Sequence, residues 1–160
     1  MPEKQTIERA RRDKRQGKSA STQAGEFIRE EIHHIREGKH GARSAKQAIA
    51  IGLNKARRAG VKLGTPKGVS ERTRKSAISA SAHAGEKPSP GRSRGAHQAL
   101  EHESRRSASH EALSRHAKQS ARKRGAAARS RAAMKAVRTK GPAGRSAAAR
   151  KAARTRQRHG

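Results

Sequence analysis

Fifteen Leu, Ile, Val and Phe side chains in 160 residues are all the chain has with which to build a core. That is well below the roughly 20% under which a strongly charged chain is expected to stay disordered, and this chain carries 41 Lys and Arg against 12 Asp and Glu, a net charge of +29. Ala supplies most of the remaining apolar content, and a buried methyl contributes only about 0.8 kcal/mol. Such a chain favours helix more readily than it packs one. The expected fold class is mainly α with extensive disorder: a short αα-hairpin, about 23–37 and 45–59, flanked by basic, partly helical low-complexity arms.

Several function classes fall away at once. There is no Cys, hence no disulfide framework, thiolate metal site or thiol nucleophile. The longest run of apolar residues and Gly is six, Ala48 to Leu53, against the roughly 20 that span a bilayer, and the first 30 residues hold no apolar signal region. The expectation is an unexported chain with no membrane partner. At +29 the protein repels itself and attracts polyanions, of which nucleic acid is the commonest in a cell.

The large apolar residues are concentrated: nine of the seventeen Val, Ile, Leu, Met and Phe lie between Phe27 and Leu63. Thr22 is the expected cap of a first helix on which Ala24, Ile28, Ile32 and Ile35 share a face with Phe27 at its edge, and Gly38 is the stop. Ser44 and Gln47 form a capping box for a second helix, which ends at Gly60. Its inner face carries Ala48, Gly52 and Ala56 every four residues, a smooth ridge that permits close helix approach. Glu31 projects between Phe27 and Ala24 on the wheel, which asks either for a cationic neighbour across the interface or for a frayed edge. Forty residues with so few large side chains are a marginal scaffold, so dimerisation through the hairpin, or folding on a partner, is expected. The expected organisation is a basic N-terminal arm (1–20), the hairpin (21–63), a polar linker with weak helices (64–108), including a linker at Pro88–Gly91, and an Ala/Lys/Arg-rich repeat tail (109–160).

In the tail, residues 125–139 align with 141–155 at an offset of 16, matching at ten of fifteen positions. Arg129 with Arg145, Ser130 with Ser146, Lys135 with Lys151 and Arg138 with Arg154 are matches that Ala content does not provide. If each copy is helical, Arg131, Lys135 and Arg138 share one face, and Arg150, Arg154 and Arg158 another. From Ala112 to Gly160 there are 16 Lys or Arg and no carboxylate, so counter-charge must come from outside. The expectation is a coil that becomes helix on a polyanion, with Arg122, Lys123, Arg124 and Lys140 adding to its phosphate contacts. Nearer the front, the loop Gly38–Ser44 offers Lys39 and Arg43 beside a helix N-terminus, either as a phosphate clamp or as a plain connector. Arg57 and Arg58 in a last helical turn either contact phosphate or compensate the helix dipole.

Base stacking is unavailable, since Phe27 is the only aromatic, which tilts the expectation toward duplex phosphates. No helix-turn-helix, zinc-finger or basic-zipper pattern appears, so little sequence preference is expected. Among nine histidines, His33 and His34 are about 100° apart on a helix, and no H-E-x-x-H occurs. No metal, cofactor or enzymatic activity is expected, the single Asp13 lying in a charge-mixed helix.

The run Lys46-Gln47-Ala48-Ile49-Ala50-Ile51-Gly52-Leu53-Asn54-Lys55-Ala56-Arg57-Arg58-Ala59-Gly60 resembles the shared motif of a group of small, very basic bacterial proteins of unknown function. Gly25–Glu31 and Arg36–Ser44 fit its longer members, with Asn54 where Ser is more usual. The resemblance covers about 20–63 and implies a bacterial cytoplasmic origin, with no activity or ligand residues attached. The tail is similar to histone H1 tails in composition alone. The expected function is that of a histone-like, nucleoid-associated protein binding duplex DNA. The alternatives are an RNA- or ribosome-associated basic protein, or a protein-interaction adaptor working through the hairpin.

Overall fold

The computed structural model describes residues 2–159. Among them are seven α-helices and one 3₁₀ turn: α1 (Lys4–Arg15), α2 (Ala20–Glu37), α3 (Ala45–Arg58), α4 (Glu71–Ala82), α5 (Pro90–Glu101), the 3₁₀ turn (Arg105–Ala108), α6 (His110–Lys123) and α7 (Gly125–His159). No strand occurs among the described residues. About 76% of the chain is helical, and the extensive disorder expected from composition is overturned. Composition counts burial, whereas short helices with capping Ser residues and Ala-rich interiors also draw on intrinsic propensity and satisfied backbone termini.

The chain divides into two compact units at His116/Ala117, within α6. In the first, α2 and α3 form the hairpin. Ser19, not Thr22, caps α2: its Oγ accepts the Thr22 N–H, so the helix begins three residues earlier than expected. Gly38 ends it with φ 81°, a left-handed conformation that only Gly adopts cheaply. Ser44 Oγ caps α3 through the Gln47 N–H, while Gln47 Oε1 reaches back one residue further than a capping box requires, to the Arg43 N–H.

The hairpin is not alone. α1, expected as an exposed arm, packs on α2 and buries Thr6, Ala10 and Asp13. Arg9 pairs with Glu26 at 2.8 Å and Lys18 with Asp13 at 2.7 Å, so the charges that made this helix look solvated are the ones that hold it down. α4 covers part of α3 through Ala77 and Ala80, with Asn54 donating to Ser76 at 3.2 Å. Ser89 and Pro90, read from sequence as a linker, are the N-cap and first residue of α5, where a missing N–H costs nothing. The apolar side chains form two clusters: Ala10, Ala24, Phe27 and Ala56 in one; Ile32, Ile35, Ala42, Ala48 and Ala108 in the other.

The second unit, expected as a coil without polyanion, is helical. Ala favours helix intrinsically and the cations point outward, where solvent and salt screen their repulsion.

Two glycines give a matched test of the hairpin. A Cβ at Gly52 would stand 2.7 Å from Ile28 Cα, so Gly52→Ala forces α2 and α3 apart; overpacking of this kind costs about 1–3 kcal/mol. A Cβ at Gly25 meets nothing within 4 Å, so Gly25→Ala gains roughly 0.5–1 kcal/mol of helix stability. Thermal unfolding followed by circular dichroism is expected to give shifts of opposite sign for one substitution type.

Candidate nucleic-acid interface

The 16-residue repeat of the tail is a structural repeat. Gly125 (φ 74°) and Gly141 (φ 62°) occupy equivalent positions, both at positive φ, and each opens one copy. At Gly141 the backbone leaves helical geometry, and Pro142 restarts it, so α7 is two helical segments rather than one continuous rod. Arg129, Arg131, Lys135, Arg138 and Lys140 lie on the first segment, and Arg145, Arg150, Lys151 and Arg154 on the second. Arg122 and Lys123 close α6, and Arg124 follows it. All are exposed. Cations four residues apart repeat about every 6 Å along the helix. With no carboxylate after Glu111, these rows repel one another in solution, and an anion along the row relieves that repulsion.

The front cations fare differently. Arg57 is buried, its Nη2 donating to the Gly64 carbonyl at 3.3 Å, and burial lowers its pKa from the ordinary value. It ties the end of α3 to the following chain, and little of it reaches the surface. Arg58 is partly buried; its carbonyl accepts from the Gly85 N–H at 2.8 Å. Of the two readings of Gly38–Ser44, the contacts fit the connector. The Gly41 N–H donates to the Leu100 carbonyl at 2.8 Å and the Ala42 N–H to the Ser104 carbonyl at 3.2 Å, so two of the loop's N–H groups are taken up by its own chain. A Cβ at Gly41 would overlap the Glu103 backbone, which makes Gly the residue this contact needs. Lys39 pairs with Glu37 at 3.0 Å and with Glu3 at 3.7 Å. Arg43 alone of the four is exposed and outside an ion pair among the described residues. In the first unit, six of the seven acids before residue 61, all but Glu8, sit in ion pairs among the described residues. The acids that place neighbours all lie in that unit, which still carries 26 Lys and Arg against 12 Asp and Glu, whereas the second has no acid at all.

Sequence reasoning missed one constellation. Glu31, His34 and His40 come together with one potential ligand atom each, all within 4.8 Å of one another. Weighing His33 against His34 passed over the E-x-x-H spacing from Glu31 to His34, which puts the two on one helix face. The loop delivers His40, whose Nε2 stands 3.3 Å from Glu31 Oε1. The cationic neighbour of Glu31 is Lys55, on Oε2.

No family model, curated protein or solved structure matches this chain. Among the described residues, no helix is long and apolar enough to cross a membrane.

The ion pairs at the end of α2 make stability depend on acid. Glu3 is held below the ordinary carboxylate value of 4.5 chiefly by its hydrogen bond with His34, and Glu37 chiefly by its hydrogen bond with Lys39. A carboxylate depressed in the folded state contributes stability above its unfolded value and loses it as pH falls through the folded one. Lys39, raised chiefly by Glu37, keeps its contribution until the pH climbs through its own raised value. The unfolding midpoint is therefore expected to drop as pH falls below 4.5. The double variant Glu3→Gln, Glu37→Gln should show a shallower acid decline.

Proposed function

We propose that this protein binds nucleic acid without sequence preference by neutralising phosphates, and that it serves as a histone-like, nucleoid-associated protein on duplex DNA in the bacterial cytoplasm. The observation that carries the reading is the second unit itself: 15 Lys and Arg between Ala117 and Gly160 with no Asp or Glu, set on Ala-rich helices. The driving force is counterion release, so each phosphate engaged lowers log K by about 0.9 per decade of salt on duplex DNA. Base readout needs side chains held in a groove by a docked fold, and the tail cations stand on helical segments broken at glycines. A single aromatic, Phe27, is buried in the core, which leaves no stacking platform for single strands. Structured RNA is the second reading, favoured by the arginine content of the tail.

Replacing Arg131, Lys135, Arg138, Arg150, Arg154 and Arg158 together with Gln keeps helix propensity and removes six charges. The salt slope on duplex DNA is expected to flatten by about 5, with affinity lost equally across duplex sequences. An unchanged slope rules out the tail as the phosphate-binding surface.

A further inference from the structure

The Glu31–His34–His40 constellation has a chemistry of its own, independent of nucleic-acid binding. Glu31 is fully buried, and the side chains of His40 and His34 are 9% and 12% exposed. Their protonation is constrained by what surrounds them. The Gly41 carbonyl only accepts, so the hydrogen of a neutral His40 sits on Nδ1, which donates to it at 3.0 Å. Nε2 then turns a lone pair toward Glu31 Oε1 at 3.3 Å. Two lone-pair atoms facing each other out of water repel unless a cation lies between them. His34 donates its Nε2 hydrogen to Glu3 at 2.8 Å. A carbonyl behind one imidazole and a carboxylate behind another are the outer partners that orient ligand histidines in metal sites.

Glu31 is divided in its duties. Lys55 stands on Oε2 and leaves Oε1 to the histidines. Neither oxygen accepts a hydrogen bond of good geometry, although both are shut off from solvent. We propose that Glu31, His34 and His40 bind a divalent transition-metal ion of the zinc class. The donor set, two imidazoles and a carboxylate, suits that class. Donors about 2.1 Å from a tetrahedral ion stand about 3.4 Å apart; the His40–Glu31 pair is already at 3.3 Å, and His34 closes the remainder by a side-chain adjustment. Bound there, the ion fastens the end of α2 to the loop that leads into α3, the same loop that receives the Leu100–Ser104 segment.

Cobalt(II), which reports its coordination in the visible, is the probe. Titrated into the full-length protein near neutral pH, it is expected to bind with one-to-one stoichiometry at a site of low coordination number, to be displaced by one equivalent of zinc, and to raise the unfolding midpoint. His40→Asn and Glu31→Gln should each weaken uptake tenfold or more, while His102→Asn, on an exposed histidine, leaves it unchanged. Should Glu31→Gln fail to fold, His40→Asn and His34→Gln carry the test, with circular dichroism confirming their helix content. Uptake that survives His40→Asn and His34→Gln belongs to surface histidines and overturns the assignment. So does the absence of any uptake.

Discussion

A carboxylate with no access to water lies midway along α2, one turn from Phe27 and one turn from Ile35, and divides the two apolar clusters of the first unit. An uncompensated buried ion costs several kcal/mol even after the protein relaxes. Glu31 therefore needs a counter-charge, and both remaining parts of the hairpin converge on it: Lys55 from α3 stands on Oε2, and the connecting loop brings His40 to Oε1. With few large side chains available, this requirement does what apolar volume does elsewhere, selecting one placement of α3 against α2. The close crossing at Gly52 and Ile28 then follows, and so does the loop conformation that exposes the Gly41 and Ala42 N–H groups to the Leu100–Ser104 segment.

The same economy of acids explains the contrast between the units. Nearly every early carboxylate is used to place a neighbour: Asp13 holds Lys18, Glu26 holds Arg9 and Arg29, Glu37 holds Lys39. These pairs fasten α1 and the end of α2 into one body, although Lys and Arg still outnumber its acids. Beyond Glu111 no acid remains, and charge that cannot be met within the chain becomes a means of attraction from outside. On the nucleic-acid reading proposed above, the fold and the binding surface lie in different stretches of the chain.

Much of the hairpin was legible because its signals are local. The Gly38 stop, the Ser44 cap and the Ala48–Gly52–Ala56 ridge are read from spacing along one or two turns; a helical wheel narrows Glu31 to a cationic neighbour or a frayed edge, and the contact with Lys55 decides between them. The repeat at 125 and 141 was visible as well, although its meaning as two glycines at positive φ was not. What escaped depends on contacts between distant segments. Nothing near Gly41 announces that Leu100 and Ser104 will occupy its N–H groups, and nothing beside Arg57 announces that the Gly64 carbonyl will draw it inward. α1 looked solvated because its charges were counted without their partners. The tail looked like coil because composition records how much can be buried, whereas Ala-rich helix needs little burial to form.

The most direct measurement is a salt titration of full-length protein binding to duplex DNA, duplex RNA and single strands of equal length. Phosphate neutralisation by the carboxylate-free helices predicts a steep log–log slope, near −7 for eight contacts on duplex DNA, with duplex DNA favoured over single strands and no preference among duplex sequences. Weak binding with a shallow slope on all three would contradict it.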